Sequence, residues 1–174
     1  MTTCKVNEIN YLIECQEEKL DSDPDGLCLM HSKMKDKDWE SFEKKIKDKL
    51  KRNDYNFNGY FFHKPIDFRH TFEDAVNFSN AQFAGLANFR GAQFKGETYF
   101  DEVKFNGFAT FLDAIFLNKV DFSFAEFKHD TRFNNAEFHN DANFCWVRFN
   151  HLANFNDTKF LRKDGSILFC NINF

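Results

Sequence analysis

The chain has 174 residues, a net charge of −4 at pH 7 and a sequence pI near 5.9. That balance excludes a bulk attraction to nucleic acid or anionic membrane, and no apolar run approaches the ~20 residues that span a bilayer. Phe is the outlier, with 26 residues against 2 Trp and 4 Tyr, while 7 Gly and 2 Pro exclude a collagen-like or Pro/Gly-rich chain.

The N-terminal MTTCKVNEINYLIEC lacks the basic and apolar regions of a secretory signal. Five Cys, an odd count without secretory context, predict a reducing, cytoplasmic setting and no disulfide framework. Within segment 1–35 lie Cys4, Cys15, Cys28 and His31. Three thiols and one imidazole would complete a tetrahedral zinc site. Such an ion would stabilise a short segment with little core of its own. Four protein ligands leave no open position, so the expected zinc is structural rather than catalytic. The competing reading is a small cap with unligated Cys, because successive Cys are loosely spaced and no second Cys-x-x-Cys accompanies CLMH.

In segment 36–53, Trp39, Phe42, Ile46 and Leu50 recur at the spacing of one helical stripe. Asp36 or Asp38 can cap the start of that helix. The stripe is expected to cover the first coil of the following segment and leave a Lys-rich face in solvent.

Segment 55–174 carries the periodicity. Its core ladder is Phe78, Phe83, Phe89, Phe94, Phe100, Phe105, Phe111, Phe116, Phe122, Phe127, Phe133, Phe138, Phe144, Phe149, Phe155 and Phe160, with gaps alternating 5 and 6. Two residues before each Phe stands Ala nine times, Val four times or Thr three times. In extended backbone both members of such a pair point the same way. A helical repeat fails on angle: at ~100° per residue, Phe at 0 and 5 diverge by about 140° and form no single stripe. Short strands that turn every five or six residues remain, coiled so that each Phe stacks on a Phe of the next coil. Upstream, Phe57, Phe62 and Phe68 keep the count, but Phe72 follows after four, so the first coil is one residue short near RHTFED. Downstream, LRKDGS predicts a longer loop before Ile167–Phe169 and Ile172–Phe174 resume the pattern. An open sheet end is a pairing surface, so either a homodimer through the C-terminal coil or further chain beyond Phe174 is expected.

Units such as ANFRG, AQFKG, AEFKH and ANFND resemble the Phe-centred form of the pentapeptide-repeat family over roughly residues 55–174. LCLMHSKMKDKDWESF also resembles a Cys/His leader found ahead of Phe-type repeats in bacterial chains. The resemblance implies a mostly β fold, a right-handed quadrilateral β-helix with four short faces per coil. With one extra residue in every second unit, a coil of four faces takes about 22 residues. The ladders test that count. At steps of one such coil, Leu86, Phe108, Asp130 and Leu152 are mostly apolar, whereas Glu97, Lys119, Asp141 and Lys163 are all charged. A coil of half that length would make these ladders equivalent.

Catalysis has little to stand on. No Gly-rich phosphate loop or paired-carboxylate arrangement stands out. Cys145 and Cys170 are expected to face outward as ordinary thiols, and His129 and His151 to share a surface column. The family resemblance brings a DNA-mimic inhibitor or protector of type II topoisomerase (gyrase) into view. That role needs an acidic surface, yet the position before each Phe holds Asp121, Glu126 and Glu137 against Lys104, Arg132, Arg148 and Lys159. The reading favoured here is a non-enzymatic scaffold or protein-interaction module without direct nucleic-acid binding or a membrane segment. Phe124 and Trp146 on one corner, with Leu86, Phe108 and Leu152 on the next, flank the face centred on Phe83, Phe105, Phe127 and Phe149. The opposite face is expected to be polar-edged. Exposed aromatic anchors mark interaction surfaces; the competing reading packs them back over the coil.

Overall fold

The computed structural model describes residues 3–6, 15–161 and 166–173. Helix α1, Trp39–Lys51, leads into twenty two-residue strands that form four parallel sheets of five. Face I comprises Phe61–Phe62, Gln82–Phe83, Lys104–Phe105, Glu126–Phe127 and Arg148–Phe149. Ala87–Asn88, Thr71–Phe72 and Val76–Asn77 belong to faces II, III and IV in turn. Phe83 pairs with Phe105 and Ala109 with Thr131 on the neighbouring coils. The same step separates hydrogen-bonded side chains such as Asn135 and Asp113, or Asn143 and Asp121, so each coil takes 22 residues. Over the described residues the chain is a mostly β, four-sided solenoid of about five turns with one helix before the coils.

The interior is the Phe ladder. Phe89 stacks on Phe111 at 4.9 Å and Phe111 on Phe133 at 4.8 Å, rings within 3° of parallel. Columns within a coil meet edge-on, as Phe100 and Phe111 do at 5.5 Å and 85°. Both are the arrangements that ring quadrupoles favour. The Ala, Val and Thr two residues before each Phe fill the space between columns, and Ala87, Ala109 and Val103 are completely buried.

The alternating gaps encode two kinds of corner. At each five-residue gap the residue two after the Phe has positive φ: Gly59, Asn80, Gly91, Glu102, Asp113, Phe124, Asn135, Trp146 and Asp157. Six-residue gaps turn without one. Asn, Asp or Thr before the Phe supports several of the tighter corners: Asn77 accepts from the Ser79 N–H at 2.8 Å and Asp121 from the Ser123 N–H at 2.7 Å. The first coil is short where RHTFED predicts. Asp67 pairs with Asn88 across 21 residues, whereas Thr71 pairs with Gln93 and Lys95 reaches back to Glu73 across 22 residues.

Asp38, not Asp36, caps α1, its carboxylate accepting from the Ser41 N–H at 3.1 Å. Phe42 and Ile46 are buried, and Phe42 lies edge-on to Phe62 at 5.6 Å. The helix therefore closes the first rung of the ladder. Leu50 and Trp39 pack beside it, half-buried. At the other end, Phe155 and Phe160 are only partly buried and Phe169 is exposed. Lys163 and Phe174 lie outside the described residues.

One expectation is overturned. Cys145 and Cys170 are not ordinary thiols but a disulfide, with Cα atoms 4.5 Å apart, so the odd Cys count does not leave the chain free of disulfides as expected. The sequence separation of 25 hides the pairing, because in the regular register residue 170 would face Arg148. The structure pairs Ala142 with Ile167. That shift of three sets Cys170 over Cys145.

Candidate metal centre and exposed aromatic corner

Two features stand outside the ladder. The first gathers Cys4, Cys15, Cys28 and His31, whose ligand atoms all lie within 4.8 Å of one another and are all buried. The 28–31 turn, closed by the His31 N–H on the Cys28 carbonyl at 3.2 Å, brings the Cys28 sulfur to 3.2 Å from His31 Nδ1. Cys4 Sγ lies 3.7 Å from the same nitrogen, and Cys15 Sγ lies 3.8 Å from Cys28 Sγ. Tetrahedral zinc, with sulfur at ~2.3 Å and nitrogen at ~2.0 Å, sets its ligand atoms about 3.5–3.8 Å apart. The residues fit such an ion.

The surroundings fit as well. His31 Nε2 lies 3.1 Å from the Asn58 carbonyl. A carbonyl only accepts, so Nε2 carries the proton and Nδ1 presents its lone pair to the sulfurs. The Cys28 N–H donates to Cys4 Sγ at 3.2 Å, as it would to a metal-bound thiolate. The Cys28 thiol is pushed up to about 12, first by its hydrogen bond with Cys15 and then by burial; that same bond lowers Cys15, and burial raises Cys4. Cys28 and Cys4 hold their protons until a cation takes the protons' place, while Cys15 gives its proton up more readily. Lys37 ties the cluster to the solenoid: its buried ammonium donates to the Ser32 carbonyl at 2.9 Å and the Phe61 carbonyl at 2.6 Å. Burial lowers its pKa to about 7.

The second feature is the corner of Phe124 and Trp146, which flanks face I. Their rings stack at 6.1 Å and 2°, and they are 58% and 51% exposed. Both backbones are left-handed, with φ of 58° and 63°. That conformation suits Gly, Asn and Asp and is an outlier for bulky residues. In the opposite column Gly91, Asp113, Asn135 and Asp157 hold it, as the preference dictates. Across face I, Leu152 and Leu86 are exposed, but Phe108 is half-buried, with the Arg132 guanidinium 5.3 Å from its ring centroid. The expected polar edge opposite is incomplete. Leu117 and Leu161 are exposed between faces III and IV, at the position directly after Phe, which the ladder comparison did not sample. His129 and His151 do share a column, stacked at 5.6 Å.

A four-sided coil of stacked Phe, with a Cys/His cluster and a capping helix at one end, defines the protein as a β-solenoid repeat scaffold. Residues 70–115 and 111–159 match the family model described as pentapeptide repeats (9 copies), together more than half of the chain. The chain belongs to the pentapeptide-repeat family. No curated protein and no solved structure matches it. Among the described residues, no helix is long and apolar enough to cross a membrane.

Proposed function

We infer that the protein is a non-enzymatic scaffold that binds a protein partner along face I, with Phe124 and Trp146 as anchors. One observation carries this reading: two stacked aromatic rings, more than half exposed, occupy a backbone conformation that disfavours them. Folding alone would place Asn or Gly there, as in the opposite column. Strain retained at a surface position supports a role in recognition, and aromatic side chains are the commonest binding anchors. Solenoids of this family are typically non-catalytic, which agrees. In this reading the protein works in the cytoplasm, and its C-terminal coil is the surface for any self-association.

The test compares affinity capture by the wild type, by Phe124→Asn with Trp146→Asn, and by Leu117→Asn with Leu161→Asn. A partner of face I is retained by the wild type and by the Leu variant but lost by the aromatic variant. Identical recovery by all three would overturn the reading.

In the same reading the Cys/His cluster holds a structural zinc that sets the N-terminal segment over the first coil. Three thiolates and a divalent ion leave one net negative charge, which the Lys37 ammonium is placed to offset. Protein purified without added metal is expected to carry close to one zinc per chain, and Cys28→Ser to lose it. Less than about 0.3 per chain, with no uptake on titration, would sink the assignment.

A further inference from the structure

Residues 166–173 form a strap across the coil that contains Trp146. Ile167 and Leu168 pair with Ala142 and Asn143. The Phe144 N–H donates to the Leu168 carbonyl and the Trp146 N–H to the Cys170 carbonyl, both at 2.8 Å, and the Phe149 N–H donates to the Asn173 carbonyl at 2.9 Å. Phe169 stacks on Phe144 at 5.1 Å. The Ser166 N–H donates to Asp141 Oδ1 at 3.0 Å, the Asn173 N–H to the Val147 carbonyl at 3.2 Å, and Ile172 packs half-buried on the core. The other apolar side chains of the strap lie largely in solvent. Ile167, Leu168 and Phe169 are 38%, 47% and 50% exposed, and among the described residues no strand lies on its far side. Its covalent tie is the Cys145–Cys170 disulfide.

The tie has a specific position. Cys145 directly precedes Trp146, and Cys170 directly precedes Asn171, whose φ of 53° continues the same left-handed column. The bond therefore fixes the rung next to Trp146, on the side away from Phe124. It lies on the corner and outside the Phe ladder, so breaking it leaves the inward rings of the earlier coils in place.

We propose that Cys145–Cys170 is a reversible thiol–disulfide site that holds the strap beside the Phe124–Trp146 corner, and that reduction releases the strap and opens that side of Trp146. The consequence for binding rests on the face I reading; the opening itself does not. A low-molecular-weight thiol of the glutathione class is the reductant. Its thiolate attacks the Cys170 sulfur, whose residue is exposed whereas Cys145 is buried. The S–S bond breaks, a mixed disulfide forms, and Cys145 leaves as a thiolate and takes a proton. A second thiolate attacks the reductant's sulfur in the mixed disulfide and frees Cys170, which is protonated in turn. Two electrons and two protons reach the protein, and the two reductant sulfurs end joined. The strap is then one thin, exposed edge layer, the kind of segment that opens at low cost.

The test uses the full chain with its metal content intact and Trp39→Phe, which leaves Trp146 as the one Trp. Samples are equilibrated in glutathione disulfide or in reduced glutathione. Denaturing alkylation without reductant counts free thiols, hydrogen exchange reads residues 166–173, and acrylamide quenching reads Trp146. The oxidised sample is expected to show two fewer alkylated Cys than the reduced one. Reduction is expected to speed exchange across the strap about tenfold or more and to raise Trp146 quenching, with residues 78–138 unchanged. Cys145→Ser with Cys170→Ser should behave as reduced in either buffer. Equal alkylation of Cys145 and Cys170 in both buffers, or strap exchange that ignores the redox state, would overturn the proposal. The Phe124→Asn, Trp146→Asn variant should show the same redox-dependent strap exchange. If face I binds nothing, that exchange still decides the strap.

Discussion

At the scale of single residues, position decides what a side chain can mean. The inward Phe are rungs of one ladder, those of the inner coils buried by their neighbours and each removing a large apolar surface from water. Phe124 and Trp146 bury little and sit at positive φ. A bulky residue in the left-handed region costs roughly 1–2 kcal/mol that Asn largely avoids. Phe124→Asn and Trp146→Asn are therefore expected to raise stability, by about 1 kcal/mol each, in urea melts read by circular dichroism. Lower stability would mean that the stacked rings hold the coil together. The identity of this column was legible in the sequence. Its conformation was legible only indirectly, through the Gly, Asp and Asn of the opposite column. The half-burial of Phe108 was not, because it depends on Arg132 reaching over the corner from face II.

At the scale of elements, α1 shows how a cap is built and where it is vulnerable. His63 lies edge-on to Trp39 at 4.9 Å and close to Phe42, and neither of its ring nitrogens has a hydrogen-bond partner among the described residues. Burial first, then the charges of Lys37 and Lys64, hold its pKa below the ordinary imidazole value. Burial acts the same way on His70, opposed by Glu73. Unfolded chain thus takes up protons at a higher pH than folded chain, and acid favours unfolding. The contribution is fully present above the ordinary value and is lost as pH falls through it toward the lower folded value. Melting temperature is expected to fall from pH 7.5 to pH 5, and His63→Phe should flatten that fall. A variant with the wild-type slope would remove His63 as the cause. The helix itself was legible from its stripe. The imidazole beneath it was not: the count puts His63, directly after Phe62, at a turn or outward position, and only Trp39 and Phe42 of the helix lying over it take it out of solvent.

At the scale of the molecule, periodicity made the architecture readable and its interruptions hid the rest. Gaps of 5 and 6 showed short strands that turn at each Phe, because one stacking rule repeats without a break from Phe78 to Phe160; the four faces were implied by the family resemblance, and the apolar and charged ladders supported a coil of 22 residues. The Cys145–Cys170 bond was unreadable for the same reason: it depends on a register of 25 that the repeat does not contain. The Cys/His cluster was legible as residue types but not as geometry, since its spacings follow no finger pattern and the first coil supplies the Asn58 carbonyl that orients His31. A stack whose coils touch only their neighbours should accept another. Duplicating residues 100–121 is expected to give a folded protein with a larger urea m-value. A broadened or early melt would show that the coils are not interchangeable.

The left-handed column that begins at Gly59 and passes Asn80, Glu102 and Phe124 reaches Trp146 on the fourth step. Gly59 adjoins Asn58, against which His31 rests. At ~4.8 Å per strand spacing, the Cys/His end and the Trp146 anchor are set about 19 Å apart along the stack. The solenoid is thus a ruler graduated in coils. Any duplication or loss of one whole coil moves the two marks by one graduation and leaves every corner facing as before, so reach can change in whole steps while orientation stays fixed.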